Sequence, residues 1–161
     1  MIVRVEPPVR NVWTRAAVAL FAENLSVSYL NTHLAIPCTT GTVLLPEASQ
    51  AFFNAEGLVT YWMVKSGRDP GEPAEAHCED LLTLLTPSRG ALRALLADGA
   101  IGELNVCVMG ADFAVPFSLS HDVVGRIADL GLRLRVFFTG EKRWLALSAS
   151  LDFGSLGESA R

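Results

Sequence analysis

The sequence predicts an α+β fold of the ferredoxin-like kind: a duplicated split βαβ, with an antiparallel sheet and helices on one face. Three observations carry this. Strand signals mark 14–22, 58–65, 103–109 and 132–138, by alternation or by β-branched and aromatic content. Helical spacing and caps mark 26–34, 74–97 and 120–130. Two units, opening at Leu25-Ser26 and Leu119-Ser120, share one strand–cap–helix grammar.

The elements follow in order. Met1 to Val5 either pairs at a sheet edge or stays loose, and Pro7-Pro8 follows it. Thr14 to Ala22 is read as a strand. Its alanines are poor strand formers, and the choice rests on the helix start just after it. Ser26 is the expected N-cap, Leu25 and Leu30 the expected hydrophobic staple, and Pro37 the stop. Residues 38–57 are ambiguous: a short strand at 42–45, a helical turn at 46–54, or a functional loop. Leu58 to Lys65 is a strand, β-branched and aromatic, and GRDPGEP at 67–73 is a polar turn. A leucine-rich helix spans 74–85. Pro87 interrupts it, Ser88 is the expected cap of a second piece to Ala97, and Gly99 closes that. Glu103 to Met109 and Phe113 to Phe117 are strands about a Gly110-Ala111-Asp112 turn. Ser120 caps a helix with Asp122 in its first turn, and Gly131 ends it. Leu132 to Phe138 alternates, with Leu132, Leu134, Val136 and Phe138 on one side and Arg133, Arg135 and Phe137 on the other. Within one domain over 1–161, the core is expected at 14–140, an extra strand at 141–153, and a frayed tail at 154–161.

Composition limits the function classes. Half of the residues are hydrophobic and 19% are charged, which excludes intrinsic disorder. The net charge of −4 argues against a nucleic-acid binder, which needs a basic face to displace counterions. The longest uncharged window, 24–46, is too polar to span a bilayer, and no secretory signal is evident, so a cytoplasmic location is expected. Cys38, Cys78 and Cys107 form no CxxC pair and read as reduced structural thiols.

The run VALFAENLSVSYLNTHLAIP (18–37), the pair Tyr61-Trp62, the leucines at 81–85 and FSLSHDVVGRIADLGLRLRVFF (117–138) together resemble the bacterial domain-of-unknown-function family 4279. The similarity covers 14–140 and implies a fold without an activity. It supplies no catalytic residue. Two stretches, CTTGTVLLPEAS after Pro37 and RVFFTGE at the last strand, depart from the family pattern.

No site motif is complete. His33, Cys38, His77 and Cys78 lack zinc-ligand spacing, and His33 suits a helix C-terminus. His121-Asp122 and Glu79-Asp80 are helix neighbours that diverge by about 100°. Ser118 and Ser120 beside His121 have no nucleophile elbow. Neither glycine-bearing stretch, 39–41 or 67–71, is a phosphate loop. Phe137 between two arginines is only a fragment of an RNA-stacking platform. The expectation is therefore a binding module without cofactor or metal, and more a binder than an enzyme. It acts on a protein partner in an immunity-type role, or on a second copy of itself. Acidic charge would steer a basic partner. Trp62, Arg133, Arg135 and Phe137 are the candidate contacts. The sheet face away from the helices is expected to carry Cys107, Met109, Phe137 and one of Tyr61 or Trp62. The alternative is a small-molecule sensor or enzyme with its site at 38–57.

Overall fold

Burial overrides propensity in the first strand. Val12–Glu23 is rich in alanine, yet it forms a strand, β1, in the computed structural model, which describes residues 12–110 and 117–139. The reason is position. β1 is the middle of the sheet, paired on both edges and packed on both faces, where small side chains let neighbours approach closely. The chain continues through α1 (Val27–Leu34), β2 (Thr40–Val43), α2 (Pro46–Phe53) and β3 (Val59–Lys65). Then come α3 (Ala74–Leu85), a 3-10 turn (Thr86–Ser88), α4 (Arg89–Ala97), β4 (Ile101–Gly110), α5 (His121–Asp129) and β5 (Arg133–Thr139).

The protein is α+β, with five strands in the order β2-β3-β1-β4-β5. Three of the neighbouring pairs are antiparallel, and β4–β5 is parallel. This order departs from a duplicated split βαβ. The strands joined through α5 lie side by side, with Glu103 opposite Arg133 and Met109 opposite Thr139, and no strand separates them. Alternation fixes which face a side chain takes, but not which strand lies alongside; long-range pairing decides that. The segment at 1–5, the expected extra strand at 141–153, the tail, and 113–116 of the expected Phe113 to Phe117 strand lie outside the described residues. Phe117 itself packs on the main core.

That core fills one face. Ala16, Val18, Leu20 and Ala22 of β1, Trp62 of β3 and Leu104, Val106 and Val108 of β4 meet leucines of α1, α3 and α4 and Val123 and Ile127 of α5. The second face carries the other half of each alternation: Ala17, Ala19, Tyr61 and Met63 form a smaller cluster with Phe21 and Leu44. The helices do not all share one face. Phe53 of α2 packs against Phe21 of the second face, ring centroids 4.8 Å apart and planes tilted by 33°. The 38–57 region is thus a strand and a helix rather than a loop, and Val59 N donates to Ser49 Oγ to hold α2 in place.

Local capping follows the sequence closely. Ser26 Oγ accepts from Tyr29 N at 3.1 Å, and Ser120 Oγ accepts from Val123 N at 3.3 Å. Gly131 takes a positive φ of 76°, as the end of a helix requires. Ser88 differs: it makes no cap bond, and its hydroxyl donates to the Leu34 carbonyl, tying the α3–α4 corner to the end of α1. Among the described residues, no helix is long and apolar enough to cross a membrane.

Candidate pocket on the second sheet face

Four strands build the floor of a cavity of about 220 Å³ on the second face. The register sets the pattern. One row runs Lys65, Ala17, Asn105 across β3, β1 and β4; the next runs Arg15, Cys107, Phe137 across β1, β4 and β5. Met63 lies one step inward from Lys65. Ala17 is the decisive small residue: a larger side chain in the centre of the floor would fill the space.

The wall comes from the turn after β3. Pairing of β3 with β1 ends at Lys65, and Ser66 N then donates to the Ala16 carbonyl at 3.0 Å. The chain bends away and returns so that Thr14 N donates to the Pro70 carbonyl at 2.6 Å. Asp80 of α3 holds this turn, accepting from Ser66 Oγ at 3.0 Å and Gly67 N at 2.8 Å. Glu72 braces it from the other side, receiving Asp69 N at 3.3 Å and Arg68 Nη1 at 3.5 Å. Ser66, Arg68 and Pro70 line the cavity, and His77 of α3 lines it from behind the turn.

His77 sits on the apolar side of α3, with Ala74, Cys78 and Leu81, and is 1% exposed. Its Nε2 lies 3.1 Å from the Asp69 carbonyl oxygen, which can only accept. Nε2 therefore carries the proton and Nδ1 the lone pair. Nδ1 is buried without a hydrogen-bond partner. Burial pushes the His77 pKa below its ordinary 6.5; the Asp69 carbonyl, Glu72 and Asp80 pull it up, and Arg68 pushes it down. The folded chain thus holds this proton more weakly than the unfolded chain. The resulting stability is complete above the unfolded value and is lost as pH falls from there through the lower folded value. His77→Gln is expected to flatten the fall in Tm between about pH 7 and pH 5, read from thermal melts. An unchanged slope would assign the acid sensitivity to other groups.

Cys107 shares the floor. Burial pushes its thiol up to about 11, against a lowering by Arg15, so it is uncharged at neutral pH and is not a ready nucleophile. Cys78 is pushed up to about 12 by burial and by Glu75 and Glu79. Among the described residues, no group of three or more His, Cys, Asp or Glu could hold a metal ion.

The four expected contact residues divide. Phe137 lines the cavity and is 38% exposed. Arg133 and Arg135 are exposed on the same side of β5, and Arg135 Nε lies 3.4 Å from Glu103 Oε1. Trp62 does not join them. It points into the helix-side core, fully buried, and Tyr61 takes the second face instead. The pleat allows only one of two adjacent residues on a face, and the indole is held internally by Asn31. Arg15, Lys65, Arg68, His77 and Asn105 are among the lining residues that the sequence did not mark as contacts. Only His77 carried a usable signal: it falls at helical spacing on the leucine-bearing side of α3, where a histidine is unusual.

Comparison of the chain with protein-family models, with curated proteins and with solved structures gives no match. The resemblance to family 4279 contributes nothing to the reading of this site.

Proposed function

We propose that this protein works by binding a small organic molecule in the second-face cavity, rather than by catalysis. The observation that carries the reading is the cavity itself: concave, mostly apolar, and edged by a few polar groups, as small-molecule sites are. The proposal moves the small-molecule alternative from 38–57 to the face around Phe137. The uncharged Cys107 supports binding over covalent chemistry. The test is a fragment screen read by amide chemical shifts and melting temperature. Compounds that shift 63–70, 105–107 and 137 should raise Tm, and a ligand at a hundred times its Kd should add about 2.7 kcal/mol. Asn105→Trp, which plugs the floor, should remove the effect. Shifts confined to 40–57 would restore the alternative placement, and a screen without binders would sink the reading.

A second reading has its own observation. Leu134 and Phe138 are exposed on β5, which among the described residues pairs only with β4. An apolar edge strand suits a protein partner, in an immunity-type role, or a second copy. Leu134→Ser with Phe138→Ser should then abolish association while leaving the circular dichroism spectrum native. Association that persists in a folded double variant would exclude these contacts.

A further inference from the structure

Resting on the small-molecule reading, we propose that the cavity takes a neutral, flat ring with a lactam edge, an N–H beside a C=O, which pairs with the Asn105 carboxamide. Elimination carries the first step. Among the described residues, the polar side chains lining the cavity are those of Arg15, Lys65, Ser66, Arg68, His77 and Asn105. Arg15 and Lys65 hold interactions of their own. Arg68 is paired with Glu72 at 3.5 Å. Ser66 Oγ donates to Asp80 Oδ2 and accepts from Arg68 N. His77 Nε2 donates to the Asp69 carbonyl, and its Nδ1 has essentially no accessible surface, so no ligand reaches it. The Asn105 amide alone in this set makes no hydrogen bond among the described residues. It is half-buried, within reach of an incoming molecule. Register explains why it is open. Asn105 stands between Ala17 on β1 and Arg135 on β5. Ala17 offers only a methyl group beside the amide, and Arg135 turns to Glu103, its Nε 3.4 Å from Oε1. The rest of the floor is apolar: Met63, Cys107 and Phe137.

The chemistry of that amide sets the ligand class. A carboxamide presents one acceptor and one donor side by side, and a half-turn of its last bond exchanges them. The complement is an N–H beside a C=O on one edge of a ring, held by two parallel hydrogen bonds as an amide side chain holds the edge of a base. A flat body suits the floor, where Phe137 supplies a ring face and Met63 a thioether. Neutrality follows from the same census. No Asp or Glu lines the cavity among the described residues, and its cations are engaged. A charged ligand would give up its hydration over an apolar floor with no free counter-charge to replace it.

The test uses 2-quinolinone, 1-methyl-2-quinolinone and 2-naphthoate as probes against the full chain, with Kd from titration calorimetry. The lactam should bind about tenfold tighter than its N-methyl relative, which lacks the donor, and than the anion. Asn105→Leu, of similar size, should erase the preference for the lactam over the N-methyl compound. Asn105→Asp presents two acceptors and should transfer the preference to 2-aminoquinoline, which offers two donors once its ring nitrogen is protonated. If Asn105→Leu does not fold, the side-chain amide protons of Asn105 in the wild-type chain decide: they should move downfield with the lactam and stay with the N-methyl compound. Equal affinities for the lactam and its N-methyl relative, tighter binding of the naphthoate, a lactam preference that survives Asn105→Leu, or an unmoved Asn105 amide would overturn the ligand class. Other fragments that bind in the cavity while the lactam does not would overturn the class and leave the binding function standing. No binder of any kind would end both.

Discussion

Trp62→Ala is expected to destabilise the fold by about 3–5 kcal/mol, among the largest effects of any single substitution here. The side chain is fully buried between β3 and the helices. Its Nε1 donates to Asn31 Oδ1 at 2.8 Å, and the same oxygen accepts from Cys38 N at 3.0 Å. One amide oxygen of α1 thus ties β3 to the entry of β2. Asn31→Ala leaves two donors without their acceptor and should cost about 1–3 kcal/mol. The double variant should lose less than the two single losses added, since both remove one bond. Urea unfolding measures all three. A loss below about 1 kcal/mol for Trp62→Ala would contradict the packing described.

Leu104→Ala should cost about 2–5 kcal/mol. Leu104 is fully buried in β4, with Val18 of β1 on one side and Leu134 of β5 on the other. It lies where the antiparallel part of the sheet meets the parallel pair, so a cavity there loosens both. Leu134→Ala is the control. It has the same chemistry on the outermost strand, half-exposed, and should cost under about 1 kcal/mol. Equal losses for the two would mean that β5 is covered as deeply as β4.

Much of the fold was legible because it is written in local rules. Ser26 and Ser120 cap as their spacing predicts, and α3 ends at Leu85 just ahead of Pro87. The alternation of LRLRVFF assigned the arginines and Phe137 to one side of β5 correctly. The strand order was not legible, because pairing partners lie far apart in sequence. Val12 meets Gly110, and nothing local to either names the other. Trp62 and Tyr61 illustrate a finer limit. Adjacent aromatic residues must part to opposite faces, and which goes inward depends on the register with β1, where Leu20 faces Trp62 and Phe21 faces Tyr61. The cavity was hidden for the same reason. Its residues come from four strands, a turn and a helix, and only register gathers them. Its wall, GRDPGEP, read as a plain turn because Asp80, which shapes it, stands on another element.

The central place of β1 also bears on how the chain is made. Translation delivers β1 before either of its neighbours, yet β3 and β4 are the strands that complete it. At roughly 5–20 residues per second, several seconds pass before Ile101–Gly110 leaves the ribosome. Both hydrogen-bonding edges of this apolar segment are bare until β3 follows, and the edge that takes β4 stays bare throughout that interval. Such a strand is a natural client for a nascent-chain chaperone. Slowing synthesis between β3 and β4 would then lengthen the dangerous window rather than assist folding.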